Sequence, residues 1–466
     1  MKKVVRTISG VAPLAVMLKP HPCPHGKCSY CPGQADVPES YTARSPVVLR
    51  AIDCGYDPEK QVQARLKIMG LMGHSLDKIE LILMGGTFAA YPPDYQESFI
   101  KGCFDGLNGV VAPDLERAKK LNESATHRCV GLCLETRPDW CTRDQINDFL
   151  RFGATRVEIG VQVPDDKSYQ ATNRGHTVQD VIDATKRLKN ACVKTGYHIM
   201  IGLPGSTPET DVANAKKIFE NPDFSPDQIK LYPCVVVEGT ELEKQFKAGG
   251  FQPYDTETIV ETLIKIKQLV PPWIRIMRVV RDIPAQYISS DCKFSHLRDE
   301  VHRRMSDRGL ACNCIRCREV GHMARFGRVP EKVELVRRDY EASGGKEVFL
   351  SYEDKENDIL IALLRLRNGE AFRSELEGAA LIRELHVFGP QVPIGTTATT
   401  SLDGLRPPTV SWQHKGYGRL LLDEAERIAF GEWDRSKIVI ISGVGVKPYF
   451  QKFSYENDGP YMSKTF

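Results

Sequence analysis

From about residue 60 onward, short apolar runs alternate with stretches whose apolar positions recur every three to four residues, the signature of repeating strand and helix units. Residues 61–74 have helical period, and residues 78–84 (KIELILM) read as a strand closed by Gly85-Gly86. Residues 129–135, 156–163, 198–202 and 228–232 repeat the strand theme, with helix-like stretches at 143–151 and 177–196. Strands separated by helices run parallel in one sheet, so this part of the chain predicts βα units. Several strands end in glycine or polar residues: Gly85-Gly86-Thr87, Glu135-Thr136-Arg137, Glu158 with Gln162, and the stretch 202–205. Ligands bind at such C-terminal strand ends in βα barrels, so these groups are expected to face one mouth.

Beyond about residue 330 the pattern changes. Residues 347–352, 358–366 and 380–387 are strand-like, and 438–442 (IVIIS) form another apolar strand. Between the last two, Gln413-His414-Lys415-Gly416-Tyr417-Gly418 runs into a helix over 419–430 with Leu421, Leu422, Ala425, Ile428 and Ala429 on one face. A glycine-rich turn at a helix start offers free backbone N–H groups and the positive end of the helix dipole, which suits a pyrophosphate.

A chain of 466 residues is too long for one core and predicts two or three domains, here 1–280, 281–330 and 331–466. With 41% hydrophobic and 26% charged residues it is an ordinary globular sequence, and a formal charge of +3 from 63 basic against 60 acidic residues says nothing of a partner. Only one local excess stands out: twelve Lys or Arg against six Asp or Glu between Lys293 and Arg338. It reads either as a footprint for RNA phosphates or as a solvated helical face. Lys2 and Lys3 before the apolar run 11–18 resemble a signal peptide faintly, but Pro13, Lys19 and the lack of a cleavage pattern favour an edge strand. No run approaches the roughly 18 apolar residues of a membrane span.

Fourteen cysteines, clustered as CxxxxCxxC and CxCxxC, indicate metal ligands in a reducing compartment, hence the cytoplasm, more than a disulfide framework. Cys23, Cys28 and Cys31 sit in HPCPHGKCSYCPG. Three thiolates can hold a 4Fe-4S cluster and leave one iron open to a small molecule such as S-adenosylmethionine (SAM); a zinc clip or three buried thiols are the plainer readings. In ACNCIRC, Cys312, Cys314 and Cys317 suggest structural zinc lacking one ligand, with His302 the first choice, Cys292, His296 and His322 its rivals, and a second iron-sulfur cluster the other reading.

The CxxxxCxxC loop before a βα series, with a strand ending in Gly-Gly, resembles the radical SAM superfamily. The QxxGxG turn resembles the acetyl-CoA loop of GNAT acetyltransferases. Together the halves resemble the Elp3 family, in blocks spread over nearly the whole chain, among them GHSLDKIELILMGGTF, ETRPDWC, RVEIGVQ, TNRGHT, KLYPC, FLSYED, IRELHV and HKGYGRLLLDEAERIA. The resemblance implies an α/β fold: a partial (β/α) TIM-type barrel, a small metal-binding linker, and a GNAT domain. It implies an acyltransferase that installs a carboxymethyl-type group at C5 of the tRNA wobble uridine (U34), with a 4Fe-4S cluster, SAM, acetyl-CoA as co-substrate and zinc. Hydrogen is taken from the acetyl methyl, the carbon adds to C5, and hydrolysis frees CoA.

The same resemblance implies site roles. Gly85 and Gly86 would accommodate the SAM amino group, and Glu135 and Gln162 its ribose and carboxylate. Lys78 would lie near acetyl-CoA; it could equally be a solvated lysine. Glu384, Leu385, His386 and Val387 would line the thioester arm, although His386 also suits a core histidine. Gln413, Gly416, Tyr417, Gly418 and Arg419 would hold the pyrophosphate, and Tyr449 would be an acid toward the leaving thiolate; Phe450 stands where the family often has a second tyrosine. Expected partners are the tRNA anticodon loop, acetyl-CoA and an electron donor, with no membrane and with a homodimer allowed. Cluster and thioester are expected to share one chamber. Rival readings are a protein-lysine acetyltransferase with a structural cluster, a radical SAM tRNA enzyme using its second half as a sensor, and a nonenzymatic RNA scaffold.

Overall fold

The computed structural model describes residues 6–34, 36–281, 283–290, 296–395 and 411–466. Seven strands, β1 (Ala12–Met17), β2 (Lys78–Met84), β3 (Arg128–Thr136), β4 (Arg156–Gln162), β5 (Lys194–Ile201), β6 (Gln228–Pro233) and β7 (Arg275–Arg278), pair in chain order, all parallel. Helices bridge every pair of successive strands, and β1 and β7 remain the two edges of a partial barrel. The expected edge strand at 11–18 is therefore β1.

Strand positions match the apolar runs closely, while one helix differs. The stretch 177–196 divides into a helix Val178–Asn190, with Thr177 and Asp180 in a capping box, and the start of β5 at Lys194. Cys192 takes a positive φ of 66° and turns the chain, a break that apolar periodicity does not register.

Side chains alternate across the pleat. In β4 (RVEIGVQ), Val157, Ile159 and Val161 join the core that the surrounding helices cover, while Arg156 and Glu158 turn toward residues of β2, β5 and β6. The barrel interior is consequently polar, where βα barrels are ordinarily filled by branched apolar residues.

The second sheet has the order β13-β14-β12-β11-β10-β9-β8, with β8 (Glu334–Ala342), β9 (Gly345–Asp354), β10 (Ile359–Asn368), β11 (Ala379–Val387), β12 (Lys437–Ile440), β13 (Glu456–Asp458) and β14 (Tyr461–Thr465). Only β11 and β12 are parallel, and they pair only over Ala379–Ile382 and Lys437–Ile440. Beyond Ile382, β11 continues to Val387 without β12 beside it, so the sheet splays open. The helix Tyr417–Gly431 buries Leu421, Leu422, Ala425, Ile428 and Ala429 against this sheet.

The second sheet docks on the N-terminal ends of the barrel strands. Arg383 of β11 donates two 2.7 Å bonds to Asp227 just before β6, and Lys194 at the start of β5 meets Glu384 at 2.9 Å. Trp273 stacks on Tyr340 with centroids 4.6 Å apart. The basic stretch after 293 is spent mostly within the chain: Arg303 pairs with Glu300 and Asp307, Arg304 and Arg308 with Glu261, Arg318 and Arg338 with Glu353, Arg337 with Asp339 and Glu432. Its positive excess is thus largely neutralised, which weakens the phosphate-footprint reading. Lys293 lies outside the described residues.

Candidate functional site

The loop after β1 and the C-terminal ends of the barrel strands enclose a cleft of about 1170 Å³, counted to its open mouth. Cys23, Cys28, Cys31, Gly85, Gly86, Glu135 and Gln162, all singled out in the sequence, line it together. Cys28 is buried, with its Sγ 3.3 Å from Arg174 Nη1 and 3.3 Å from His25 Nε2. Cys23 Sγ lies 3.6 Å from Thr87 Oγ1, and Cys31 Sγ 3.4 Å from Ser40 Oγ. Burial pushes the Cys23 thiol up and the Cys31 thiol to about 12.

These three thiols do not converge within 4.8 Å of one another, as Cys312, Cys314 and Cys317 do. Tetrahedral thiolates on one zinc, at about 2.3 Å each, would stand about 3.8 Å apart. The N-terminal set is therefore too open for a single ion and fits a multi-iron cluster, whose thiolates sit on different metals. Gly85 and Gly86 have φ of 134° and 98°, and a Cβ on Gly85 would come within 2.9 Å of Leu18. Gln162, at φ 66°, leaves its buried Oε1 without a partner, as does Thr136 Oγ1 beside it in the cleft wall. Buried polar atoms are rarely left so, and here they fit hydrogen-bonding groups of a ligand.

Sequence reasoning did not assign Arg137, Arg174 or His25, though ETRPDWC and TNRGHT carried the first two. Arg137 Nη1 lies 2.6 Å from His25 Nδ1 and bonds the Arg174 carbonyl at 2.7 Å, bracing the loop under Cys28. On the cleft floor Glu135 accepts from Lys230 at 3.2 Å and from the Tyr41 hydroxyl at 3.3 Å. Burial alone would raise the Glu158 carboxyl; Lys230, His198 and Arg156 outweigh it and hold it well below the usual range.

At the other end of β2, Lys78 Nζ bonds Gln413 Oε1 at 2.9 Å. The buried Gln413 also donates to the carbonyls of Gly10 and Val387, at 3.1 Å each. Burial lowers the Lys78 ammonium to about 8. Gly416, at φ 89°, has open space around it, while a Cβ on Gly418 would stand 2.5 Å from the Tyr449 hydroxyl. Tyr449 is wedged between Gly418 and the rings of Phe450 and Phe453. Tyr417 packs beside Tyr352, and Arg419 pairs with Asp423 at 2.6 Å. On the free edge of β11, Glu384 is held by Lys194 and by Arg365 at 2.7 Å. Leu385 and Val387 pack on the second core, and His386 Nε2 bonds the Ser9 carbonyl at 2.7 Å. His386 thus acts as an interdomain packing group.

One expectation needs correction. Lys78 opens β2 and Gly85-Gly86 follow its end, so at about 3.3 Å per residue the two sets lie about 20 Å apart. None of Lys78, Glu384, His386, Gln413, Gly416 and Tyr449 lines the cleft. The cysteine loop and the splayed strand occupy opposite ends of one barrel, separated by its polar interior, because β11 docks on the N-terminal strand ends while the cysteine loop caps the others.

Near Cys312, Cys314 and Cys317, His302 Nε2 lies 3.6 Å from Cys317 Sγ. Lys267 Nζ lies 3.6 Å from the same sulfur and supplies countercharge. His322 is engaged with Glu319 at 3.0 Å, His296 is exposed at a helix start, and Cys292 lies outside the described residues. The converging thiols fit one tetrahedral ion better than a cluster.

Residues 20–216 match the model of the radical SAM superfamily, and residues 226–307 that of the radical SAM C-terminal domain. The chain is 50% identical to a tRNA uridine(34) acetyltransferase of Dehalococcoides mccartyi, covering 100% of this chain and 99% of that protein. It is 44% identical to human Elongator complex protein 3, over 99% of this chain and 85% of the relative. A solved structure, the archaeal Methanocaldococcus infernus Elp3 with an N-terminal deletion, superposes with a TM-score of 0.87 at 45% identity, covering 99% of this chain and 100% of that one. The open thiol triad at one end of a partial barrel and the splayed strand with its glycine turn at the other are thus matched end to end, and the chain belongs to the Elp3 family of the radical SAM superfamily.

Proposed function

We propose that this protein is a tRNA-modifying acyltransferase that uses SAM and acetyl-CoA to build a carboxymethyl-type group on C5 of the wobble uridine. The observation that carries the reading is the mounting of a splayed, CoA-type strand on the floor of a barrel whose other end presents three spread thiols and unpartnered polar groups. Residues 1–280 would form the radical SAM unit, 281–330 a zinc-stabilised linker held by Cys312, Cys314, Cys317 and His302, and 331–466 the acetyl-CoA unit.

Cys23, Cys28 and Cys31 would hold a 4Fe-4S cluster, which with SAM would supply hydrogen abstraction. There Gly85 and Gly86 line the cleft with bare backbone, Gln162 and Glu135 offer acceptors, Arg174 charge-balances the Cys28 sulfur, and His25, its imidazole lowered to about 4 by burial beside Arg137 and Arg174, contacts that sulfur as a neutral ring. In the other half, the N–H groups of Gly416, Tyr417 and Gly418 would take the pyrophosphate, while that of Arg419 is bonded to the Gly416 carbonyl at 2.9 Å. The unpaired edge at Glu384–Val387 would take the pantetheine arm as an added strand. Tyr449, whose hydroxyl lies against Gly418, would donate a proton to a leaving thiolate.

The rival reading, acetyl transfer to protein lysines, is disfavoured by what covers the splay. The segment after β12 presses Gly443 and Gly445 onto β3, where a Cβ would stand 2.2 Å from the Val130 carbonyl oxygen and 2.5 Å from Arg128 Cβ. The thioester end of such a site faces the barrel floor, which leaves an incoming lysine no direct approach from that side.

The test is anaerobic incubation of reconstituted protein with tRNA, SAM, reductant and methyl-labelled acetyl-CoA. Label in a C5-substituted uridine is expected; label confined to protein amines would return the assignment to the acetyltransferase reading.

A further inference from the structure

The barrel interior between the two sites is charged along its whole length. Arg156 bonds Glu80 on one side and stands 3.3 Å from Glu158 on the other. Glu158 in turn meets Lys230 and, at 2.8 Å, His198 Nε2, and Lys230 reaches Glu135 on the cleft floor. At the opposite end, Lys194 joins this column to Glu384 of the splayed strand, and both Lys194 and His386 lie close enough to Glu80 to act on its charge.

Side chains toward either end of the column are partly exposed, and those in its middle are not. The Glu80 and Lys194 side chains are 20% and 15% exposed on the thioester side, and those of His198 and Lys230 18% and 11% on the cleft side. Between them Arg156 is 3% and Glu158 2% exposed, so a single guanidinium–carboxylate layer closes the middle of the column. Beside that layer the strands carry Gly131, Gly160 and Gly196, and a Cβ on Gly196 would meet Glu158 Cγ at 2.9 Å. A buried ion pair adds little stability over an apolar filling of equal volume, so the layer is not explained by stability.

We propose that the barrel lumen is the passage through which the two-carbon end of a CoA thioester, seated on β11, reaches the SAM-side cleft, with Arg156 as its gate. The inference rests on the function proposed above. The pairing pattern permits opening: when Arg156 swings away, Glu158 keeps Lys230 and His198, and Glu80 keeps access to solvent, so neither carboxylate is stranded.

The test is a graded series, Gly131→Ala, Gly131→Val and Gly131→Leu. Gly131 stands beside Glu80, and a Cβ there meets Thr155 Oγ1 at 3.4 Å and Glu80 Cγ at 3.9 Å, so the small residue fits while larger ones fill the lumen. Acetyl-CoA affinity by calorimetry and 5'-deoxyadenosine formation from SAM alone should stay within about twofold across the series. Transfer of acetyl label to tRNA should fall stepwise, at least about tenfold by leucine. In protein without cluster, bromoacetyl-CoA should alkylate Cys133, whose Sγ lies 3.1 Å from Arg156 Nε, and do so at least about tenfold less in Gly131→Leu. Undiminished label transfer in Gly131→Leu, affinity that falls in step with transfer, or Cys133 modified equally or not at all would each overturn the passage. Absence of label in tRNA with the unsubstituted protein would instead remove the underlying function.

Discussion

At the scale of single residues, the two ends of the barrel make separable demands. Cys28→Ala should abolish 5'-deoxyadenosine formation while tRNA affinity stays nearly intact, because Cys28 is the buried member of the thiol triad; retained cleavage would remove the triad from the chemistry. Gly418 is defined by the Tyr449 hydroxyl 2.5 Å from its missing Cβ. Gly418→Ala should therefore displace the tyrosine and weaken acetyl-CoA binding, and adding Tyr449→Phe should recover part of the affinity, a coupling that a double-mutant cycle reads directly. Lys78 falls from the usual 10.5 to about 8 in the folded chain, chiefly through burial. Between those values the unfolded chain binds more protons, so this site's contribution to stability rises with pH over about 8 to 10.5. Urea midpoints should show wild-type protein gaining on Lys78→Met as pH increases through that window; a difference that stays flat would contradict the burial. The cysteines and glycines of both sites were legible in the sequence because spacing and turn chemistry are local. Arg137, Arg174 and His25 were not assigned, since their contacts with Cys28 and with each other exist only after the loop closes on β4.

At the scale of elements, the strands of the barrel were readable from their apolar runs, yet the more telling feature lay in their alternation. RVEIGVQ, KTGYHIMI and QIKLYP place Arg156, Glu158, Lys194, His198 and Lys230 every second residue. Parallel strands buried on both faces usually read as continuous apolar runs, so this alternation signals a polar lumen. β8 (ELVRRDYEA) went unrecognised because an edge strand buries few side chains and its sequence is mostly charged. The junction of the halves depends on Asp227, fully buried against Arg383, Arg365 and Lys189. Removing one partner of such a set strands the others, so Asp227→Asn should cost about 3–5 kcal/mol in urea unfolding. A loss below about 1 kcal/mol would mean that this network does not hold the halves together.

At the scale of the molecule, the barrel and the mixed sheet share charged, aromatic and backbone contacts, and the thiol group near residue 314 sits between β7 and the second sheet. A chelator is expected to take one zinc per chain from Cys312, Cys314 and Cys317 and to lower the melting temperature without removing iron; loss of iron on the same treatment would assign those thiols to a cluster. The presence of two different sheet-bearing halves could be read from the strand pattern and motif blocks, whereas their docking at the N-terminal ends of the barrel strands could not, because it is set by β11 meeting strand ends far away in sequence.

The central claim is that both ends serve one reaction. The most direct measurement is the mass of 5'-deoxyadenosine formed anaerobically from unlabelled SAM in the presence of tRNA and acetyl-CoA whose methyl group is fully deuterated. The account predicts 5'-deoxyadenosine carrying deuterium from that methyl. Unlabelled 5'-deoxyadenosine, formed while the tRNA is modified, would contradict it.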